Sequence, residues 1–159
     1  QHASYMRSMT VRDNILVGTI HRLAGKRRAE RRRRVEETAA VLGLTSHLST
    51  IAGALPHGLQ RLVGIAIAFV GRPRLLCLDE PLTGLNQTEV ATMLDVFRSM
   101  RSEFGSTILL VEHNMKAVMT LCDRVVVLHH GQRLATGTPA EIRGDEQVIA
   151  AYLGGRRGE

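Results

Sequence analysis

The spacing of apolar residues changes at Pro73, where a helical pattern gives way to short apolar runs. Before the proline, residues 35–42 carry apolar side chains at helical spacing, and Gly43 follows as a stop signal. A second helix is predicted over residues 58–70, because a proline disfavours helical backbone at the residue that precedes it. The first half of the chain is therefore predicted to be helical.

After this proline, apolar runs alternate with helical patterns. Residues 75–78, 107–111 and 125–128 are predicted as buried strands, and residues 88–104 and 114–121 as helices between them. Strands that are apolar throughout and separated by helices indicate a parallel sheet covered on both faces. A hairpin around Gly131 and one or two closing helices are expected to end the chain.

Composition narrows the class of protein. Of the 159 residues, 44% are hydrophobic and 23% charged, which is typical of a globular chain. Aromatic residues make up only 3%, which argues against proteins that stack nucleic-acid bases on exposed rings. No apolar run approaches the roughly 18–20 residues that span a bilayer. Two cysteines cannot form a disulfide framework, and Cys77 is predicted to be a buried strand residue.

Charge is distributed unevenly along the chain. Residues 1–74 carry 13 Lys and Arg against 4 Asp and Glu, whereas residues 75–159 carry 8 against 11. The basic run at 26–34 is compatible with a nucleic-acid or anionic-lipid patch. It is equally compatible with a solvated helix face whose aliphatic stems cover apolar surface. The run contains no aromatic residue, which favours the solvated face.

Candidate chemistry appears where the strand 75–78 ends in Asp79 and Glu80. Ligands of parallel sheets bind at this edge, where one carboxylate can hold Mg²⁺ and the next can polarise a water. Two solvated acids at a strand end are the simpler alternative. His113 follows the strand 107–111, and neighbouring parallel strands would bring it to the same edge, where nucleotide hydrolases place a γ-phosphate sensor. A purely structural histidine is the alternative.

A second candidate lies upstream, where residues 55–60 read Leu-Pro-His-Gly-Leu-Gln immediately before a predicted helix. Backbone N–H groups at a helix start attract anions, helped by the helix dipole. The alternative is a Pro/Gly turn that merely opens the helix.

Taken in order, these motifs resemble the ATP-binding subunit of ABC transporters, over a portion that starts at the Gln loop. The Leu-Pro-x-Gly form of the signature is similar to that of the branched-chain amino-acid subfamily. Residues 9–17 resemble the segment after that subfamily's Gln loop, and residues 137–142 and 148–154 resemble its C-terminal end. The resemblance covers essentially the whole chain.

The resemblance implies roles for individual residues. Gln1 would be the Gln-loop residue near Mg²⁺ and the transmembrane partner, and Asp79 the acid that holds Mg²⁺, directly or through water. Glu80 would activate the attacking water, and His113 would be the switch histidine. The signature, which would grip the γ-phosphate of ATP held by the opposite subunit, comprises Leu55, Pro56, His57, Gly58 and Leu59. The D-loop, which would lie across the dimer, comprises Gly84, Leu85 and Asn86.

Several positions depart from the family pattern. No residues read G-x-x-x-x-G-K-[ST], so the chain is expected to be the later part of a subunit and inactive alone. Pro56 and His57 replace a common serine and glycine, although the proline agrees with the subfamily. Gly64 and Ile67 stand where an acid and an arginine are usual, and Gln87 replaces a proline.

The implied fold is α/β: a helical signature subdomain over residues 1–72, then the distal half of a P-loop-type parallel sheet with flanking helices over residues 73–159. The implied function is ATP hydrolysis that powers import of branched-chain amino acids. Its partners would be a second ATPase subunit, permease subunits and, indirectly, a solute-binding protein, on the cytoplasmic face of the plasma membrane. Two alternatives stay open: an ABC-fold regulator or non-transport ATPase, and a basic nucleic-acid-binding fragment.

Overall fold

The computed structural model describes residues 5–22 and 25–153. The chain divides into two compact units, Gln1–Val111 and Glu112–Glu159. The elements of the first unit are α1 (Val11–Val17), α2 (Thr19–Arg22), α3 (Arg28–Val41), α4 (His57–Phe69), β1 (Leu75–Asp79), α5 (Gln87–Ser102) and β2 (Thr107–Val111). Those of the second are α6 (Met115–Leu121), β3 (Val125–His129), β4 (Gln132–Gly137), α7 (Pro139–Gly144) and α8 (Glu146–Leu153).

The helical part of the first unit is built on α1, α3 and α4, which contact one another. Their buried faces share a core of aliphatic side chains with Phe69, as the apolar spacing predicts. The predicted helix at 35–42 coincides with the last part of α3 and its C-cap Leu42, and Gly43 follows with a φ of 68°, a left-handed conformation that glycine adopts without strain. The predicted helix 58–70 corresponds to α4, which ends before Pro73.

The basic run lies largely on the solvated surface of α3. Arg28, Arg32 and Arg33 are exposed. Arg33 pairs with Glu37 one helical turn away, with Nε and Oε1 3.7 Å apart. These features agree with the solvated-face interpretation.

The two strands of the first unit form a parallel pair, in a register that matches Leu75 with Thr107 and Asp79 with Val111. One face of β1 is buried, but Cys77 on the other face is exposed, and Leu109 on β2 is 56% exposed. The prediction of a sheet covered on both faces, with Cys77 buried, was therefore wrong. Apolar residues on both faces of a strand favour cover on both faces, but the sequence pattern does not reveal whether covering elements are present.

The second unit combines an antiparallel hairpin with three helices. β3 pairs with β4, so the strand predicted at 125–128 has an antiparallel partner and belongs to a hairpin. The turn contains His130 and Gly131, both with positive φ, which suits a tight hairpin. Apolar side chains from the hairpin and helices form this unit's core: Val118, Val125, Val127, Ile142 and Val148.

Within residues 5–22 and 25–153, no helix has both the length and the apolar character needed to cross a membrane.

Candidate functional site

The chain turns sharply where β1 ends. Asp79 is the last strand residue, and the N–H of Glu80 donates to the Val111 carbonyl at 2.8 Å. Glu80 has a φ of 44°, a left-handed conformation that is uncommon and strained for a residue other than glycine. Thr83 donates twice to Glu80, from its N–H to the carbonyl and from its hydroxyl to carboxylate Oε2, each at 3.3 Å. The Glu80 carboxylate is therefore oriented by the turn that follows it.

The Asp79 carboxylate is available to a ligand. Its side chain is exposed and has no hydrogen-bond or ion-pair partner among the described residues. Mg²⁺ in nucleotide sites is commonly held by one or two carboxylates together with phosphate oxygens and water. A solvent-facing carboxylate at a sheet edge fits that pattern, although the described residues contain no cluster of three or more metal-binding side chains.

Helix α4 contacts this turn through Arg61, its single cationic residue apart from the histidine at its start. The Arg61 guanidinium donates from Nη1 to the Glu80 carbonyl at 3.1 Å and from Nη2 to the Thr83 carbonyl at 2.9 Å. Sequence analysis did not identify Arg61. The available signal was a lone arginine in an otherwise apolar stretch, four residues after the first residue of the helix.

The residues predicted as a signature form the start of α4. The helix begins at His57 with Pro56 as its N-cap, and no side chain caps it. The first intrahelical bond runs from the Gln60 N–H to the Pro56 carbonyl at 3.0 Å. The N–H groups of the first turn thus lie at an uncapped helix start, an arrangement that favours anions.

The loop before α4 is fixed by the side chain of Gln60. Its Nε2 donates to the Leu55 carbonyl at 2.7 Å, and its Oε1 accepts from the Tyr5 hydroxyl at 2.6 Å. Leu55 and Gly58 are buried, whereas His57 is exposed. The loop is therefore anchored by the buried residues Leu55 and Gly58, while the imidazole of His57 is exposed to solvent.

The residues predicted as a D-loop lie against this helix start. Gly84 has a φ of 78°, and a Cβ built on it would lie 3.7 Å from His57 Cε1. A Cβ built on Gly58 would lie only 2.5 Å from Glu89 Oε1, so this position has no room for a side chain unless Glu89 moves. Asn86 and Glu89 form a capping box at the start of α5. The structure thus brings the two predicted loops together within one unit, a contact that sequence analysis did not predict.

Two further predicted residues are His113 and Gln1. His113 belongs to the second unit and is exposed; its N–H donates to Glu112 Oε2 at 3.1 Å, as does the N–H of Asn114 at 3.2 Å. That carboxylate organises the start of α6, where Asn114 is the N-cap. Gln1 lies outside the described residues.

Comparison with protein families gives two matches. The model described as ABC transporter matches residues 1–83, which is more than half of the chain. The model described as branched-chain amino acid ATP-binding cassette transporter matches residues 132–157.

Curated relatives extend the similarity over nearly the whole chain. The high-affinity branched-chain amino acid transport ATP-binding protein LivG of Salmonella typhimurium is 40% identical, over 97% of this chain and 66% of its own length. The corresponding protein BraF of Pseudomonas aeruginosa is 39% identical, with the same coverage of both chains. This chain therefore spans just under two thirds of the length of these relatives.

Solved structures agree on the fold. The ATP-binding cassette MJ1267 of an ABC transporter superposes with a TM-score of 0.81 at 24% identity, covering 92% of this chain and 63% of that one. cbiO1 from Clostridium perfringens, part of the ABC transporter complex cbiONQ, gives a TM-score of 0.80 at 27% identity, covering 92% and 59%. Together with the family model that matches more than half of its residues, these similarities show that the chain belongs to the ABC transporter family.

Proposed function

We propose that this chain supplies the hydrolytic and signature parts of an ATP-binding subunit that powers import of branched-chain amino acids. The observation that carries the proposal is the turn after β1, where the exposed Asp79 carboxylate adjoins a Glu80 carboxylate that Thr83 orients. Membership of the ABC transporter family and the branched-chain match at residues 132–157 support the same proposal.

The proposed subunit combines a helical signature subdomain over residues 1–72 with a distal α/β part over residues 73–159. It works with a second ATPase subunit and permease subunits on the inner face of the plasma membrane, and a solute-binding protein delivers the amino acid. The names of the relatives LivG and BraF support the choice of solute. The sequence contains no G-x-x-x-x-G-K-[ST] motif, so the proposed activity belongs to a subunit in which a P-loop is supplied.

In the proposed reaction, a water oxygen attacks the γ-phosphorus of ATP and the bond to the ADP oxygen breaks. Glu80 accepts a proton from the attacking water, which raises the nucleophilicity of its oxygen. Asp79 would hold Mg²⁺, directly or through water, and the ion would supply positive charge opposite the phosphate oxygens. Gln1 also lies near the metal in this proposal, and His113 contacts the γ-phosphate.

The uncapped start of α4 has a role across the dimer. The signature, residues 55–59, donates backbone N–H groups to the γ-phosphate of ATP bound by the opposite subunit. The D-loop, residues 84–86, lies beside it and contacts the same partner. The packing of Gly84 near His57 supports a common surface for these two loops.

The test uses the full-length gene product that contains this chain, purified with Glu80→Gln, Asp79→Asn or His113→Ala. Glu80→Gln is expected to lower turnover by about 10²-fold or more, the lower range for acid–base groups, while it keeps ATP binding and traps an ATP-dependent dimer. Asp79→Asn is expected to weaken Mg²⁺-dependent binding and give no trapped dimer. His113→Ala is expected to lose turnover, as Glu80→Gln does.

Asp95→Asn is the matched control, because it makes the same acid-to-amide change at an exposed position on α5. It is expected to behave like the parent protein. Parental turnover by Glu80→Gln would show that another group activates the water and would overturn the proposal.

A further inference from the structure

Arg61 is the side chain that joins the start of α4 to the turn carrying the proposed catalytic carboxylate. Its Nη1 and Nη2 donate to the carbonyls of Glu80 and Thr83, the first and last residues of that turn. A planar guanidinium can bond both carbonyls at once from one fixed geometry, whereas an ammonium group is a single point donor. The contact joins residues about twenty positions apart in sequence and is therefore a tertiary restraint on the turn.

The turn needs such a restraint because Glu80 has a φ of 44°. A non-glycine residue in this region costs on the order of 1–3 kcal/mol and persists only where its surroundings fix it. Three hydrogen bonds hold the Glu80 backbone here: its N–H donates to the Val111 carbonyl, and its own carbonyl accepts from the Thr83 N–H and from Arg61 Nη1. The bond from Arg61 links the turn to α4, an element outside the sheet and the turn itself.

We propose that Arg61 is a positioning residue for the Glu80 carboxylate. This inference rests on the proposed function, since it gives Arg61 a role in the step assigned to Glu80. Arg61 lies four residues after His57, so the helix turn next to Gly84 and the guanidinium belong to the same stretch of α4. A shift of the proposed signature turn therefore carries the guanidinium with it and changes the turn that orients Glu80.

The experiment compares Arg61→Met, which keeps the aliphatic stem without donors, with Arg61→Lys, which keeps one cationic donor group. Both are made in the full-length gene product. Arg61→Met is expected to lower kcat for ATP hydrolysis by about 10-fold or more, because small misplacements of a catalytic group cost up to about 10²-fold. KM for ATP is expected to stay within about twofold, and Arg61→Lys to recover part of kcat.

A second readout does not depend on turnover. Hydrogen exchange of the backbone amides in residues 80–85 is expected to accelerate in Arg61→Met, with partial recovery in Arg61→Lys. Arg98→Met is the matched control, since Arg98 is exposed on α5 and pairs with Asp95 one turn away. It is expected to leave kcat and the exchange of residues 80–85 at parental values.

The outcomes separate this inference from the function on which it rests. Parental kcat in Arg61→Met, with turnover abolished in Glu80→Gln, would overturn the positioning role and leave the proposed function intact. Parental turnover in Glu80→Gln would overturn the proposed function. In that case unchanged exchange at residues 80–85 in Arg61→Met would also overturn the restraint itself.

Discussion

Arg72 offers a stability test of the junction between the helices and the sheet. It lies just before Pro73 with a φ of 49°, and its guanidinium carbon lies 3.6 Å from the Phe104 ring centroid and 4.8 Å from that of Phe69. Its Nη2 lies 3.7 Å from Glu37 Oε2 on α3. One side chain therefore ties α3 to the ends of α4 and α5.

The Arg72 side chain also has features that lower the stability of the folded state. Burial lowers the pKa of Arg72 below its ordinary value, and repulsion from Arg34 lowers it further, while Glu37 opposes both. Nη1 is buried without a hydrogen-bond partner in the part of the chain that the structure describes. The net contribution of the charge is therefore smaller than a count of its contacts indicates.

The perturbation is a pair of substitutions, Arg72→Ala and Arg72→Gly. Both lose the cation–π contacts, about 0.5–2 kcal/mol, and the partly exposed ion pair, about 0–1 kcal/mol. With the burial cost subtracted, Arg72→Ala is expected to lower the free energy of unfolding by about 1 kcal/mol. Arg72→Gly is expected to lose about 1 kcal/mol less, because glycine adopts a positive φ without the left-handed strain.

The assay is urea unfolding of the 159-residue chain, followed by far-UV circular dichroism. Because the free energy of unfolding falls by about 1–3 kcal/mol per molar urea, the two variants should differ in unfolding midpoint by about 0.3–1 M urea. Arg74→Ala is the control, since this neighbouring arginine is exposed and lacks the positive φ. Equal midpoints for Arg72→Ala and Arg72→Gly would refute the strain argument, and parental midpoints for both would refute the stabilising contacts as well.

Three further predictions concern stability and assembly. Gly64→Ala is expected to raise the free energy of unfolding by up to about 1 kcal/mol, because a Cβ there meets no described atom within 4 Å. Gly43→Ala, at a positive φ, is expected to lower it, and the melting temperatures of the two variants test both expectations. The Glu141 carboxylate accepts hydrogen bonds from the backbone N–H and the hydroxyl of Thr138 at the start of α7, and these bonds lower its pKa. Its contribution to folding stability is therefore present above the unfolded-state pKa and lost as the pH falls through the lower folded-state pKa. Glu141→Gln should flatten this acid dependence in pH-dependent unfolding, and an unchanged dependence would contradict it. The exposed apolar positions Leu109 and Val111 should make the 159-residue chain self-associate, and light scattering that finds a monodisperse monomer would rule this out.

Local patterns along the chain were sufficient to predict most of its elements. The helix predicted over residues 88–104 corresponds to α5, and its apolar residues Met93, Phe97 and Met100, which recur at helical spacing, are buried. Gly43 ended α3 as expected, because its positive φ is a local property of a helix end. Such features depend on residues within a few positions of one another.

Contacts between distant residues were not predicted. The bonds from Arg61 to the Glu80 and Thr83 carbonyls involve main-chain acceptors, which every residue possesses, so no residue pattern indicates them. The exposed face of β1, including Cys77, was missed because an apolar strand has the same pattern whether or not another layer covers it. Which layers are present is a property of the whole fold.

ATP turnover, measured side by side for three proteins, tests the central claim most directly. The proteins are the isolated 159-residue chain, the full-length gene product that contains it, and that gene product with Glu80→Gln. Because the sequence has the Asp79 and Glu80 carboxylates but no P-loop motif, we expect no turnover from the isolated chain, turnover from the full-length gene product and its loss in Glu80→Gln. Steady turnover by the isolated chain, or parental turnover by the Glu80→Gln protein, would contradict the account.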